Sequence, residues 1–400
     1  MEVLRYTGWG LELLFFSYIL VQLVYNSVFS FSGLFYKKVR FRQTPKYYNR
    51  ILVLTPAYME DNVILAVARR LLKQDYPSDK FAVMVIADKL QPQTLNSLRA
   101  LPIIVKEVSF EKSTKAASLK KAVEDLPDNA YDIALTLDAD NFLEDRFLYK
   151  INDQFIEGHK AIQGRRLAKN LNTSFAILDG LSEHINNHIH RKGPDALGFS
   201  ANLIGSGMAF DFVLFKELIA GNNAVGGFDR ELQLSAIDRK VRIKYLDDAL
   251  VYDEKIENPN AFGAQRKRWL ASQVFYLRKN FRKGLIKLLK GDFAYFRFAV
   301  LNNLLLPNML FLAATAMALV LSLAFQEFVL VPYRLWGAIF ALSMIAFASA
   351  IPREFVSWKY LRAMFALPVA FFVMLKSALS IKGANRTFIH TPHSHVEIQK

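Results

Sequence analysis

Two aspartates flank an alanine in Leu137-Asp138-Ala139-Asp140-Asn141, directly after the apolar run Ile133–Leu137. Hard carboxylate oxygens at this spacing, with room beside them for phosphate oxygens and water, suit a divalent cation such as Mg2+ or Mn2+. A cation held there stabilises negative charge on a departing nucleotide. The same letters also suit an Asp-rich turn capping the next helix. A second cluster reads Gln265-Arg266-Lys267-Arg268-Trp269. On a helix, Gln265, Arg268 and Trp269 share one face at i, i+3 and i+4. That face offers an amide, a guanidinium that matches phosphate, and a ring that can stack on a sugar. A basic helix flanking a membrane, with an interfacial Trp, carries the same residue types.

The elements that position these groups alternate between strand and helix. Arg50–Pro56, Phe81–Ala87, Ile103–Val108 and Ile133–Leu137 read as buried strands. Asp61–Lys73, Thr94–Ala100 and Thr114–Leu126 read as the helices between them. Such alternation predicts an α/β domain with a doubly wound, mostly parallel sheet covered on both faces. Ligands of such sheets sit beyond the carboxyl ends of the strands. Thr55, Asp88, Asp138 and Asp140 all fall at strand ends, so the fold gathers them at one rim.

Outside this middle region the chain is apolar. Of its 400 residues 52% are hydrophobic, yet the net charge is +15, a pairing that fits a membrane protein with a basic cytoplasmic face. The basic residues cluster beside apolar segments, which argues against a nucleic-acid partner. With no cysteine, disulfides, Cys-ligated zinc and thiol catalysis are excluded. Leu13–Phe35 is uncharged and long enough to cross a bilayer. Lys37, Lys38, Arg40, Arg42, Lys46 and Arg50 follow it, and no small-residue cleavage site does. It therefore reads as an uncleaved anchor whose following domain is cytoplasmic. Further spans are expected near Val300–Phe325, Arg334–Ile351 and Leu361–Ile381. Counting crossings puts the C-terminal tail outside, unless Pro307 or Pro332 marks a segment that enters without crossing. Val274, Leu277, Phe281, Leu285 and Leu288 form a stripe among many cations, the pattern of an interfacial helix that touches lipid, with Gly284 as a possible break. The expected layout is an anchor at 1–36, a cytoplasmic domain at 37–270, interfacial helices at 271–298, membrane helices at 299–382 and a tail at 383–400.

Taken together and in order, these pieces resemble the family 2 glycosyltransferases, in the membrane branch of cellulose, chitin and hyaluronan synthases. Thr55-Pro56-Ala57-Tyr58 with Glu60 looks like the first nucleotide-binding strand end, and Asp88 like the aspartate that contacts the base. Lys115-Ala116 resembles the family's Lys-Ala pair, with Thr114 where a glycine is usual. Asp138-Ala139-Asp140 looks like the metal motif, and Gly205-Ser206-Gly207 like the small-residue loop near the acceptor. Gly227-Phe228-Asp229 stands where T-E-D is usual, so Asp229 is the expected base and the acidic neighbour is missing. Gln265 to Trp269 fits Q-x-x-R-W in full. The resemblance implies a GT-A fold and a multi-pass protein of the cell's inner membrane, with its catalytic domain in the cytoplasm.

The activity it implies is inverting, metal-dependent transfer of a sugar from a nucleotide-sugar donor, UDP-linked by expectation, to a growing polysaccharide. Transfer to a membrane lipid acceptor is the alternative, and a non-enzymatic scaffold a third reading. Thr55, Pro56, Tyr58, Glu60, Asp88, Lys115, Asp138 and Arg268 would bind the donor. Gly205, Ser206, Gly207, Gln265 and Trp269 would meet the acceptor, and Asp138 with Asp140 would hold Mg2+ or Mn2+. Asp211 and Glu231 are weaker candidates for the base. His184 with His188, and His390, His393 and His395 in a mobile tail, are more simply read as lacking a metal role. Gln163–Arg166 is open between a phosphate-facing role and a solvated turn, and Asp253-Glu254 has no assigned role.

Overall fold

The computed structural model describes residues 2–381 and 393–398. Its centre is an eight-stranded sheet in the order β3-β2-β1-β4-β7-β6-β8-β5. The strands are β1 (Ile51–Tyr58), β2 (Phe81–Asp88), β3 (Ile104–Val108), β4 (Ile133–Thr136), β5 (Phe142–Leu143), β6 (Ala161–Ala168), β7 (Met208–Asp211) and β8 (Ile243–Asp253). β1 runs parallel to β2 and β4, and β2 to β3, as the sequence alternation requires. Beyond β4 the sheet is mixed. β7 lies antiparallel between β4 and β6, β8 returns parallel to β6, and β5 closes the edge antiparallel. The expectation of a mostly parallel sheet therefore holds only for the N-terminal half.

Strand alternation builds a core on each face. Leu52 and Leu54 enter one buried cluster with Met84, Ile86 and Phe210. Ile51 and Val53 enter the other with Val83, Leu135 and Leu246. Thr55 is fully buried, its hydroxyl without a hydrogen-bond partner among the described residues. Helices Ile64–Leu71, Pro92–Arg99 and Lys115–Val123 cross between the parallel strands.

The apolar helices pack on the same body. The N-terminal helix, Glu2–Leu34, meets the catalytic domain so closely that a Cβ on Gly193 would lie 1.9 Å from the Phe29 carbonyl oxygen. His188 seals this joint through a 2.7 Å contact between Nε2 and the Ser30 carbonyl. Among the described residues two helices, Tyr6–Leu34 and Trp358–Leu379, are long and apolar enough to cross a membrane. Phe293–Leu304 and Asn308–Ala324 make a third only as one span bent by 63°, and Tyr333–Ser349 is shorter. The bend falls at Pro307, where Gln22 donates to the Leu306 carbonyl at 2.8 Å and accepts from its N–H at 2.9 Å. Broken backbone inside an apolar layer needs such partners.

One 31-residue helix, Pro259–Leu289, carries both the Gln265–Trp269 cluster and the basic amphipathic stretch. It does not break at Gly284. A Cβ there would lie 2.5 Å from Val300, so the glycine allows a close approach. Phe281, Leu285 and Leu288 stay exposed, while Leu277 packs on the core. Against its N-terminal half lies the Leu367–Leu379 helix, with Ser377 donating to the Gly263 carbonyl at 3.1 Å.

Candidate active site

The rim predicted from strand ends is the wall of a cavity of about 670 Å3. It runs from Tyr58, Asp88 and Asp138, past Asp229, to Gln22, Met309 and Met374 among the apolar helices. Pro56, Tyr58, Glu60, Asp88, Lys115, Asp138, Asp140, Gly205, Asp229, Gln265, Arg268 and Trp269 all line it. Thr55, Ser206 and Gly207 do not. Thr55 is fully buried in the packed layer against the sheet. Ser206 is buried beneath the wall, and a Cβ on Gly207 would overlap Val251.

At the β2 end, both carboxylate oxygens of Asp88 are buried and accept no hydrogen bond among the described residues. A buried acceptor without a donor is costly unless a ligand supplies the N–H. Beside it, Thr114 caps the Lys115–Val123 helix by accepting from the Ala117 N–H at 3.1 Å. This fixes Lys115 at the helix start, where its ammonium pairs with Asp138 and donates to the Gly205 carbonyl at 2.6 Å.

Asp138 and Asp140 are held from below. Ser206 Oγ accepts from the Asp138 N–H at 3.0 Å. Asn141, with its amide nitrogen turned to the carboxylates, donates to Asp140 at 3.0 Å and Asp253 at 3.1 Å, and its oxygen accepts from Ser206 at 2.7 Å. Burial pushes the Asp140 carboxyl up to about 6, with Asp253 and Asp138 adding repulsion and His393 opposing it. Crowded, desolvated carboxylate of this kind is stabilised by a cation. Among the described residues no group of three or more His, Asp or Glu side chains is arranged to hold a metal.

Asp229 follows Gly227 and Phe228 at the start of the Phe228–Asp238 helix, where Gly227 adopts φ +73°. Its half-buried carboxylate makes no hydrogen bond or ion pair among the described residues and faces the cavity. The weaker base candidates are engaged elsewhere. Asp211 caps the next helix by accepting from the Leu214 N–H at 2.9 Å, at the opposite end of the sheet. Glu231 accepts from Lys279 at 2.7 Å and from the Tyr276 hydroxyl at 3.1 Å.

On the Pro259–Leu289 helix, Gln265, Arg268 and Trp269 line the cavity, and Gln265 Oε1 is buried without a donor among the described residues. Arg266 is buried, paired with Asp179 and stacked between the rings of Phe262 and Trp269. That ion pair was not visible in sequence, because Asp179 lies 87 positions away.

The tail contradicts the reading of a mobile segment on the far side. His393 Nδ1 meets Glu60 at 3.0 Å and His395 Nε2 meets Glu257 at 2.7 Å. The Ser394 and His395 N–H groups donate to Glu254. Buried Lys169 joins the two parts, donating to the Asp140 carbonyl at 2.6 Å and the His395 carbonyl at 2.5 Å. This segment therefore lies on the same side as the catalytic domain. Any membrane crossings between them must be even in number. His390 falls outside the described residues. Glu254, which sequence left without a role, is the acceptor for these tail N–H groups. His184 Nδ1 lies 3.2 Å from Arg165, and His188 meets the Ser30 carbonyl. Arg166 of the Gln163–Arg166 stretch is no solvated turn residue: it pairs with buried Glu183 at 2.6 Å and lines the cavity.

A strand-end D-x-D pair, the buried Asp88 at the end of β2 and the Asp229 carboxylate thus share one cavity. The family described as glycosyltransferase like family 2 matches residues 49–272, and the chain belongs to it. It is a family 2 glycosyltransferase. Among solved structures, the mannosyltransferase PcManGT from Pyrobaculum calidifontis, in complex with GDP-Man and Mn2+, is similar in fold. The TM-score is 0.58 at 17% identity, over 93% of this chain and 99% of that one. Glucosyl-3-phosphoglycerate synthase from Mycobacterium tuberculosis, with Mn2+, UDP and glucosyl-3-phosphoglycerate, matches 57% of this chain and 83% of its own at 16% identity and TM-score 0.38. No curated protein shows significant sequence similarity to the chain.

Proposed function

We propose that this protein transfers a sugar, with inversion, from a nucleotide-sugar donor to a membrane-borne glycan acceptor that it extends at the cytoplasmic face of the inner membrane. The observation that carries this reading is the continuity of the cavity. One end holds Asp88, Lys115 and the Asp138–Asp140 pair; the other opens among Gln22, Leu306, Met309 and Met374 of the apolar helices. Asp229 lies between them, where the donor's anomeric carbon and the acceptor hydroxyl must meet.

In this mechanism Asp229 takes the acceptor hydroxyl proton as general base. Arg268 and Lys115 bind the diphosphate and stabilise the charge that develops on it. Asp138 and Asp140 would hold the divalent cation, Mg2+ or Mn2+, which supplies charge neutralisation for the departing nucleotide. The hard-oxygen pair and the crowding at Asp140 fit such an ion. Asp88 accepts from the base: the imide N–H of uracil, as expected from sequence, or the N–H edge of guanine, the base carried by the donor in the PcManGT complex. Gln265 and Trp269 hold the acceptor sugar by amide and ring face. The exposed Phe281, Leu285 and Leu288, with Arg278, Arg282 and Lys290, rest this helix on the lipid headgroups.

A single addition to a lipid acceptor is the second reading. It is favoured by the small number of helices among the described residues that are long enough to cross a membrane, two or three, too few to wall a wide channel. The test uses the purified full chain in detergent with a panel of UDP- and GDP-sugars and lipid extract. Nucleotide release that depends on the extract supports transfer, and product length separates the two readings. No release from any donor would overturn the assignment.

A further inference from the structure

Where the family usually has glutamate, this chain has Phe228, and the structure gives that ring a partner. The Lys115 ammonium sits 4.7 Å from its centroid. The same ammonium pairs with Asp138 and donates to the Gly205 carbonyl. A Cβ built on Gly205, which adopts φ +84°, would lie 3.5 Å from the Phe228 ring and 3.9 Å from an Asp229 oxygen. Phe228 is itself buried in the core. The ring is therefore a fixed floor beneath a cation that stands between the donor pair and the base.

Lys115 has three N–H groups, of which Asp138 and Gly205 take two. A carboxylate at position 228 would bind it as an ion pair and add negative charge beside the diphosphate site. An aromatic face attracts the ammonium without neutralising it. We infer that Phe228 is a positioning residue: it holds Lys115 over its ring while leaving the charge free to pass from Asp138 to the donor's diphosphate. That exchange also frees Asp138 for the cation site. The inference rests on the donor-site reading above.

The experiment is a double-mutant cycle on UDP and GDP binding, measured by titration calorimetry with the full chain in detergent and Mg2+. Phe228→Leu keeps an apolar side chain and removes the ring's attraction, so Kd for the nucleotide should rise roughly 3- to 10-fold. Phe228→Tyr keeps the ring and should bind like wild type. Phe228→Glu should weaken binding more than Phe228→Leu. If the ring acts through Lys115, Phe228→Leu adds nothing to the loss from Lys115→Met. Additive losses, or a Tyr variant as weak as the Leu variant, would overturn the inference while leaving the donor site intact. A wild-type protein that binds neither nucleotide would overturn the donor-site reading and the inference with it. Thermal unfolding of each variant identifies any that fail to fold; for those, Lys115→Met and Phe228→Tyr still decide between the outcomes.

Discussion

Asp229→Asn separates chemistry from binding more cleanly than any other change in the cavity. The substitution keeps the side chain's shape and removes its basicity. No hydrogen bond or ion pair is lost within the described residues, because the Asp229 carboxylate makes none. What is lost is its through-space attraction to Arg230 and Arg191, which it helps to keep protonated. Attraction without a hydrogen bond, at the intermediate screening of a protein interior, amounts to about 1–2 kcal/mol, so the melting temperature of a chain this long should move by only a few degrees. A positioned general base contributes about 10²- to 10⁴-fold, or roughly 3–5 kcal/mol of barrier. The fall should therefore appear in kcat, with donor Kd nearly unchanged, since Asp88, Lys115 and Arg268 are untouched. Single-turnover transfer and nucleotide titration on one preparation measure both. Turnover within a few-fold of wild type would refute the assignment of the base. A matching rise in Kd would show that Asp229 binds the donor instead.

Asp140→Ala should remove the response of transfer to Mg2+ or Mn2+, and excess chelator should inhibit the wild type; full activity in chelator would refute the cation site. Deleting residues 393–400 strips the donors from Glu254 and the His393 contact from Glu60, so donor KM should rise by about tenfold while unfolding changes little; an unchanged KM would leave the segment without a role at the donor site. Glu183→Gln leaves Arg166, Arg191 and Lys255 without their shared buried carboxylate and should cost about 3–5 kcal/mol in thermal or denaturant unfolding. Those three cations hold the Glu183 carboxyl below its ordinary 4.5 against the opposing effect of burial. Its contribution is thus complete above that value and disappears as pH falls through the lower folded one, a loss in acid that the Gln variant should not show.

Much of the donor half was legible in the linear order of residues. Short β-rich runs alternating with helical ones dictate parallel strands, and parallel strands bring their carboxyl ends to one rim. Asp88, Asp138 and Asp140 needed nothing more to be placed together. The helix face of Gln265, Arg268 and Trp269 follows from a period of 3.6 residues alone. Local pattern could not say that Thr55 turns inward, since a strand end admits either face until the packing above it is known. Nor could it reveal the antiparallel insertion of β7, which depends on pairing between distant segments.

The deepest contributions of tertiary structure are contacts across long sequence separations. Arg266 with Asp179, Gln22 with Leu306, and the 393–395 segment with Glu60 and Glu254 have no local signature, because each partner alone looks like an ordinary polar residue. Composition and spacing determined that this chain makes a strand-end acidic site beside apolar helices. Only the folded chain decided that the tail returns to cover that site and that Phe228, an apparent loss of an acid, lies beneath the Lys115 ammonium. Short-range periodicity is written residue by residue, whereas burial and charge pairing exist only once distant segments share one interior.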